Sequence, residues 1–176
     1  PEAAEGPNEI AMIQLADGDL MTVFRVGSGR EWKLRRAYSH DQGRTWSKPD
    51  VLPAYSVEPS LLRAANGTLV LSSGRPGIGL WLSTDPRGEK WQEVDIVQLH
   101  DRWAPDRTYR IGPADGPAPA EGQPDKRPWH SSSYTEVIEV SPNRIILVYD
   151  RSPKPQPADH GDLTRIFALP IEIVRE

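Results

Sequence analysis

Two pairs of oppositely charged residues recur at similar separations in this chain of 176 residues: Glu9 with Arg25, and Glu58 with Arg75. Further on, Tyr134 and Asp150 stand about as far apart. Arginine's planar guanidinium can hold a carboxylate through two parallel hydrogen bonds, and it stays charged at any physiological pH. A phenol, with an ordinary pKa near 10, becomes a nucleophile only when a neighbouring base takes its proton. A site that gathered these six side chains would suit an acidic ligand. Whether they are gathered depends on the elements between them.

Those elements repeat. Glu9 to Arg25, Glu58 to Arg75 and Tyr134 to Arg151 each run through partly apolar residues, turn, and continue into a second apolar strand. The turns fall at Asp17-Gly18, Asn66-Gly67 and Ser141-Pro142-Asn143. Asp-Gly and Asn-Gly are strong hairpin signals, and the expectation is a type I′ turn, in which both central residues need positive φ. A third strand follows each hairpin, at Trp32–Ser39, Leu80–Ser83 and Leu163–Leu169. No stretch keeps a 3.6-residue apolar period, so helix content should be low. Repeats of about 40 to 50 residues carrying roughly four short strands each are the signature of β-propeller blades. The expected architecture is therefore all-β, with about three four-stranded antiparallel blades near residues 9–53, 58–99 and 133–176, and a Pro-rich insertion at 100–132. In an antiparallel hairpin the start of the first strand and the end of the second share an edge. Glu9, Arg25, Glu58, Arg75, Tyr134 and Asp150 should thus meet at one mouth of the propeller's channel. Trp103, Trp129 and His130 in the insertion would lie near that mouth as candidates for stacking on a sugar.

At the opposite edge, Ser39-His40-Asp41-Gln42-Gly43-Arg44-Thr45-Trp46 fits the pattern S-x-D-x-G-x-T-W. Asp41 can accept hydrogen bonds from the turn backbone, Gly43 supplies an unusual φ, and Trp46 packs the turn onto the sheet. Ser83, Asp85, Gly88 and Trp91 form a degenerate copy, with Lys90 where Thr is usual. The motif resembles the Asp-box of sialidases and related propellers. Together with the polar constellation, it makes nearly the whole chain resemble the second half of an exo-α-sialidase of the bacterial neuraminidase type.

That resemblance implies a six-bladed propeller and a retaining glycoside hydrolase that removes terminal sialic acids without a cofactor. It implies Tyr134 as nucleophile and Glu9 as its base, with Glu58 the second choice for that role. Arg25 and Arg75 would be two of three arginines on the substrate carboxylate, and Asp150 a support for the third. The third arginine and the acid/base aspartate belong to the family's first blades, which suggests that an N-terminal half of the propeller is missing here. Neutral tyrosine suits this substrate, because sialic acid carries a carboxylate on its anomeric carbon and would repel an anionic carboxylate nucleophile; sialidases are the tyrosine exception among glycosidases. By the same resemblance the protein is secreted or periplasmic.

Composition narrows the alternatives. Absence of cysteine removes disulfides, thiolate metal sites and thiol nucleophiles. A net charge of -4 offers no basic field for nucleic acid or an anionic membrane. The longest apolar run, near Ile145 to Tyr149, is far too short to span a bilayer. The four histidines, His40, His100, His130 and His160, show no metal-ligand spacing. Two readings remain beside the sialidase: a hydrolase or lyase acting on another acidic sugar such as a uronic acid, and a carbohydrate-binding propeller without turnover.

Overall fold

The computed structural model describes residues 6–27, 32–55, 57–74, 78–103, 134–151 and 165–174. They form three antiparallel sheets whose strands lie in chain order. The first contains β1 (Asn8–Gln14), β2 (Leu20–Arg25), β3 (Lys33–Ser39) and β4 (Asp50–Tyr55). The second contains β5 (Val57–Arg63), β6 (Leu69–Gly74), β7 (Gly79–Ser83) and β8 (Gln92–Glu93). β9 (Thr135–Ser141), β10 (Arg144–Arg151) and β11 (Arg165–Glu172) form the third, which has three strands among the described residues rather than the expected four. β1 lies beside β5, and β5 beside β9, so the first strand of each sheet faces the same axis. This is the blade arrangement of a propeller, and the expected all-β class holds.

The hairpins form where the sequence places them, but by a different turn. Only the glycines take positive φ, 93° at Gly18 and 84° at Gly67. Gly18 N–H donates to Leu15 O at 3.1 Å and Leu15 N–H to Asp19 O at 2.8 Å; the Asn66-Gly67 turn repeats both bonds, from Gly67 N–H to Ala64 O at 2.8 Å and from Ala64 N–H to Thr68 O at 2.9 Å. These are type I turns closed by a left-handed glycine, the three-residue hairpin rather than the type I′ form. In the third hairpin Asn143 takes the left-handed conformation at φ 62°.

Sheet-on-sheet burial holds the blades together. Val23, Leu34 and Leu52 of the first sheet pack against Leu71 and Trp81 of the second. Trp81 is 1% exposed, and its ring meets Tyr55 edge-on at 5.3 Å. The indole lies over Gly79, where any added Cβ would fall 1.9 Å from a ring carbon, so only glycine fits beneath it. Between the second and third sheets, Val70 and Leu80 pack with Val137, Ile145, Leu147 and Tyr149. Each such fully buried large side chain contributes about 1.5–3 kcal/mol. Polar contacts add register: Ala65 N–H donates to Glu139 Oε1 and Asn66 N–H to Asn143 Oδ1, both at 2.8 Å.

A short helix, α1 (Ile96–Trp103), straddles the expected start of the insertion. Asp95 caps it, accepting from Gln98 N–H at 2.9 Å. Ile96 and Leu99 join the core between the second and third sheets. His100 is buried, with Nδ1 2.7 Å from the Tyr149 hydroxyl. Eight residues are too few to show a helical period, so the sequence pattern missed this element. At the two ends of the array, apolar side chains lie open. Register pairing puts Ile10, Met12 and Val51 on the outer face of the first sheet, and Ile138 and Ile166 on that of the third.

Candidate functional site

The mouth is built by two β-bulges at matching places. Asn8 pairs with Arg25 and Ile10 with Phe24, leaving Glu9 as the extra residue, at φ 46°. In the second sheet Val57 pairs with Gly74 and Ser60 with Ser72, and Glu58 stands in the irregularity at φ 50°. Left-handed backbone costs a non-glycine residue roughly 1–2 kcal/mol. A bulge re-aims a side chain, and such strain accumulates at functional sites. Here the same device appears twice, each time on a glutamate.

These glutamates meet across the blades. Glu9 Oε1 accepts from Arg25 Nη1 at 2.5 Å, and Glu9 Oε2 accepts from the Glu58 backbone N–H at 2.8 Å. Arg25 Nε also donates to Gly27 O at 3.1 Å. The pair is largely enclosed, with side-chain exposures of 11% for Arg25 and 23% for Glu9. Burial raises the Glu58 carboxyl above the usual carboxylate range; the Glu9 and Glu136 charges push it further up, and the Arg25 charge partly offsets them. Glu58 therefore keeps its proton to higher pH than an ordinary glutamate.

Glu136, which the sequence reading did not single out, belongs to this group. Its carboxylate accepts from the Ser60 hydroxyl of the neighbouring blade and from Val137 N–H. A signal for it existed: it stands one residue inside β9 and two after Tyr134, a spacing that strand alternation puts on one face.

Tyr134 stands just before β9 and is 57% exposed. Thr135 pairs with Tyr149, so the next residue of β10, Asp150, lies at the same end of the sheet as Tyr134. Among the described residues no hydrogen bond joins the Tyr134 hydroxyl to Glu9 or Glu58. The structure thus brings Glu9, Arg25 and Glu58 into one hydrogen-bonded group and sets Tyr134 and Asp150 at the corresponding end of the third sheet. Arg75, Trp129 and His130 lie outside the described residues. Trp103 closes α1, with its ring 6.4 Å from that of Phe167.

The opposite edge carries the Ser39–Trp46 turn. Asp41 Oδ1 accepts from Thr45 N–H at 2.8 Å, and Oδ2 from the Thr45 hydroxyl at 2.6 Å. Those bonds, with help from Ser39, bring the Asp41 carboxyl down to about 2. Gln42 and Gly43 both take positive φ, and Trp46 Nε1 donates back to Gly43 O at 3.2 Å. In the degenerate copy, Asp85 Oδ1 accepts from Arg87 N–H at 2.8 Å and from Glu89 N–H at 3.3 Å. Arg87 bridges blades by donating to Asp17 and Asp19. Every one of these bonds serves a turn or a blade contact.

Among the described residues no cluster of three or more His, Asp or Glu could hold a metal ion, and no helix is long and apolar enough to cross a membrane.

No protein-family model and no curated protein matches this chain. Solved structures do. A Hadza microbial sialidase matches at 18% identity and TM-score 0.53, over 96% of this chain and 33% of its own. The intramolecular trans-sialidase from Ruminococcus gnavus matches at 18% identity and TM-score 0.51, over 92% of this chain and 32% of its own. An α-L-arabinofuranosidase of Fusarium graminearum matches at 15% identity and TM-score 0.50, over 94% and 45%. This chain spans between 32% and 45% of each. At these identities the likeness is one of fold, and the fold is that of the propeller blades in these proteins.

Proposed function

We propose that this chain supplies part of the catalytic mouth of a retaining, exo-α-sialidase-like glycoside hydrolase. The observation that supports it most is the pair of strained bulges that bring Glu9, Glu58 and Arg25 into one group beside the strand that Tyr134 opens. The similarity to sialidases and to an arabinofuranosidase supports a glycosidase in general.

In this reading a glutamate takes the phenolic proton and the Tyr134 oxygen bonds to the anomeric carbon as the aglycone oxygen leaves. Water then cleaves the tyrosyl glycoside, and two inversions give retention. Glu9 takes that proton in this reading, its two oxygens aligned by Arg25 and the Glu58 amide, with Glu58 the second choice. The raised Glu58 carboxyl stands closer to the proton affinity of a phenol than an ordinary glutamate would. Arg25 and Arg75 hold the substrate carboxylate, with Asp150 supporting a further arginine.

A second reading is favoured by the gathering of the Glu9 and Glu136 charges about Glu58, with Arg25 the cation that offsets them, which suits a neutral glycan better than an acidic one. The test is hydrolysis by the full-length protein of fluorogenic α-sialoside, uronide and α-L-arabinofuranoside. Release from the sialoside, with a fluorosialyl adduct mapped by intact mass to the Tyr134 peptide, is the expected result. Cleavage of the arabinofuranoside alone would replace it with the neutral-glycan reading, and no turnover of any would leave a binding propeller.

A further inference from the structure

We propose that Thr135 and Glu136, through Ser72 and Ser60 of the neighbouring blade, are positioning residues for Tyr134: they fix where β9 begins, and so where the phenol stands relative to the Glu9–Arg25 pair. This rests on the reading of Tyr134 as the nucleophile.

The Tyr134 side chain is more than half exposed, so packing around the ring does little to place it. A nucleophile misplaced by about 1 Å loses roughly 10²-fold in rate, so the backbone beneath it must be held. The next two residues hold it. Thr135 and Ser72 are both buried, and their hydroxyls hydrogen-bond at 2.9 Å across the boundary between the third and second sheets. The Glu136 carboxylate accepts from the Ser60 hydroxyl of the same neighbouring sheet and from Val137 N–H at 3.0 Å. Ser60 and Ser72 stand opposite one another in the β5–β6 pairing, so both grips come from one place. Within its own sheet Thr135 pairs with Tyr149, whose hydroxyl lies 2.7 Å from His100 Nδ1. The first residue of β9 is thus tied to the second sheet, to β10 and, through Tyr149, to α1.

Apolar packing alone would not fix this offset. Hydrophobic contact is non-directional and changes little when two sheets slide slightly, whereas a hydrogen bond is lost outside a narrow range of distance and angle. A valine at position 135 would fill the same space, and a threonine hydroxyl is tolerated in a buried place only when it is paired. Ser60 is also the first residue paired after the irregularity at Glu58, whose amide donates to Glu9 Oε2. The start of β5 therefore serves as a common reference: it meets Glu9 at residue 58 and β9 at residue 60.

The experiment uses the full-length protein carrying 13C-labelled tyrosine, with the Tyr134 signal assigned by its loss in Tyr134→Phe. That signal is followed by NMR, alongside kcat and KM on the fluorogenic sialoside and thermal melting. Thr135→Val and Ser72→Ala should each shift the Tyr134 signal and lower kcat roughly 10- to 100-fold, with KM held within about twofold. The two together should lose no more than either alone, because both remove the same bond. Adding Ser60→Ala to Thr135→Val should lose more, since the second grip goes too. Thr135→Ser keeps the hydroxyl and restores most of the rate. An unmoved Tyr134 signal and native kcat in Thr135→Val and Ser72→Ala would overturn the inference and leave the hydroxyls as a brace between blades. Equal losses in Thr135→Ser and Thr135→Val would also overturn it, because the hydroxyl would then be irrelevant. If the Tyr134 signal moves as expected while Tyr134→Phe turns over normally, the positioning stands and it is the nucleophile assignment that fails.

Discussion

Replacing Tyr134 by Phe removes one oxygen and keeps the ring. The side chain is 57% exposed, and its hydroxyl makes no hydrogen bond to either mouth glutamate, so the folded state loses little. Surface substitutions of this kind fall within about 0.5 kcal/mol. For a protein of this size or larger, that is a change of about 2 °C or less in melting temperature. Catalysis should respond on another scale. Deleting a nucleophile that works as a unit with its base costs roughly 10⁴-fold or more in turnover, equivalent to about 5.5 kcal/mol of transition-state stabilisation. The assay is kcat/KM of the full-length protein on a fluorogenic α-sialoside, with thermal melting of the same samples. The ratio of the two effects is what tests the reasoning. Near-normal turnover in Tyr134→Phe, or a fall in activity matched by a large fall in melting temperature, would refute Tyr134 as nucleophile.

Arg25→Lys keeps the charge but loses the planar fork that reaches Glu9 Oε1 and Gly27 O, and a carboxylated ligand should bind about 1–3 kcal/mol more weakly by calorimetry; unchanged affinity with a lower melting temperature would make Arg25 structural only. Asp41→Asn should show the pH dependence of the Ser39–Trp46 turn. The Asp41 carboxyl sits at about 2 when folded, below its ordinary value near 3.9, so its contribution is complete above that ordinary value and lost as pH falls through about 2. The gap in melting temperature between the native protein and Asp41→Asn should therefore narrow as pH drops from 5 to 2, and a constant gap would exclude this linkage. The exposed Ile10, Met12 and Val51 on one outer face, and Ile138 and Ile166 on the other, predict that these 176 residues alone associate or melt without cooperativity; a monodisperse, cooperatively melting monomer in sedimentation would contradict this.

Local chemistry made much of this protein legible from its sequence. The Ser39–Trp46 turn is complete within one short segment, since the bonds from Ser39, Thr45 and Trp46 all reach partners no more than four residues away. Asp17-Gly18 and Asn66-Gly67 turn the chain because glycine accepts the left-handed conformation that closes each hairpin. Pairing Asn8 with Arg25 follows from that turn, and it carries Glu9 and Arg25 to one edge. What joins residues of different blades was decided only by tertiary structure. Glu58 N–H meets Glu9 Oε2 across 49 residues, and the Ser60 hydroxyl meets Glu136 across 76, because sheet packing sets β1, β5 and β9 side by side. The bulges at Glu9 and Glu58 left no mark in the apolar alternation, since one extra residue at a strand's start shifts nothing downstream that a pattern can register. Helix α1 was hidden for the related reason that its stability comes from burying Ile96, Leu99 and His100 against the third sheet rather than from its own eight residues. Strand order and turn position follow from neighbours in the chain, whereas the engagement of each carboxylate follows from where packing puts the next blade.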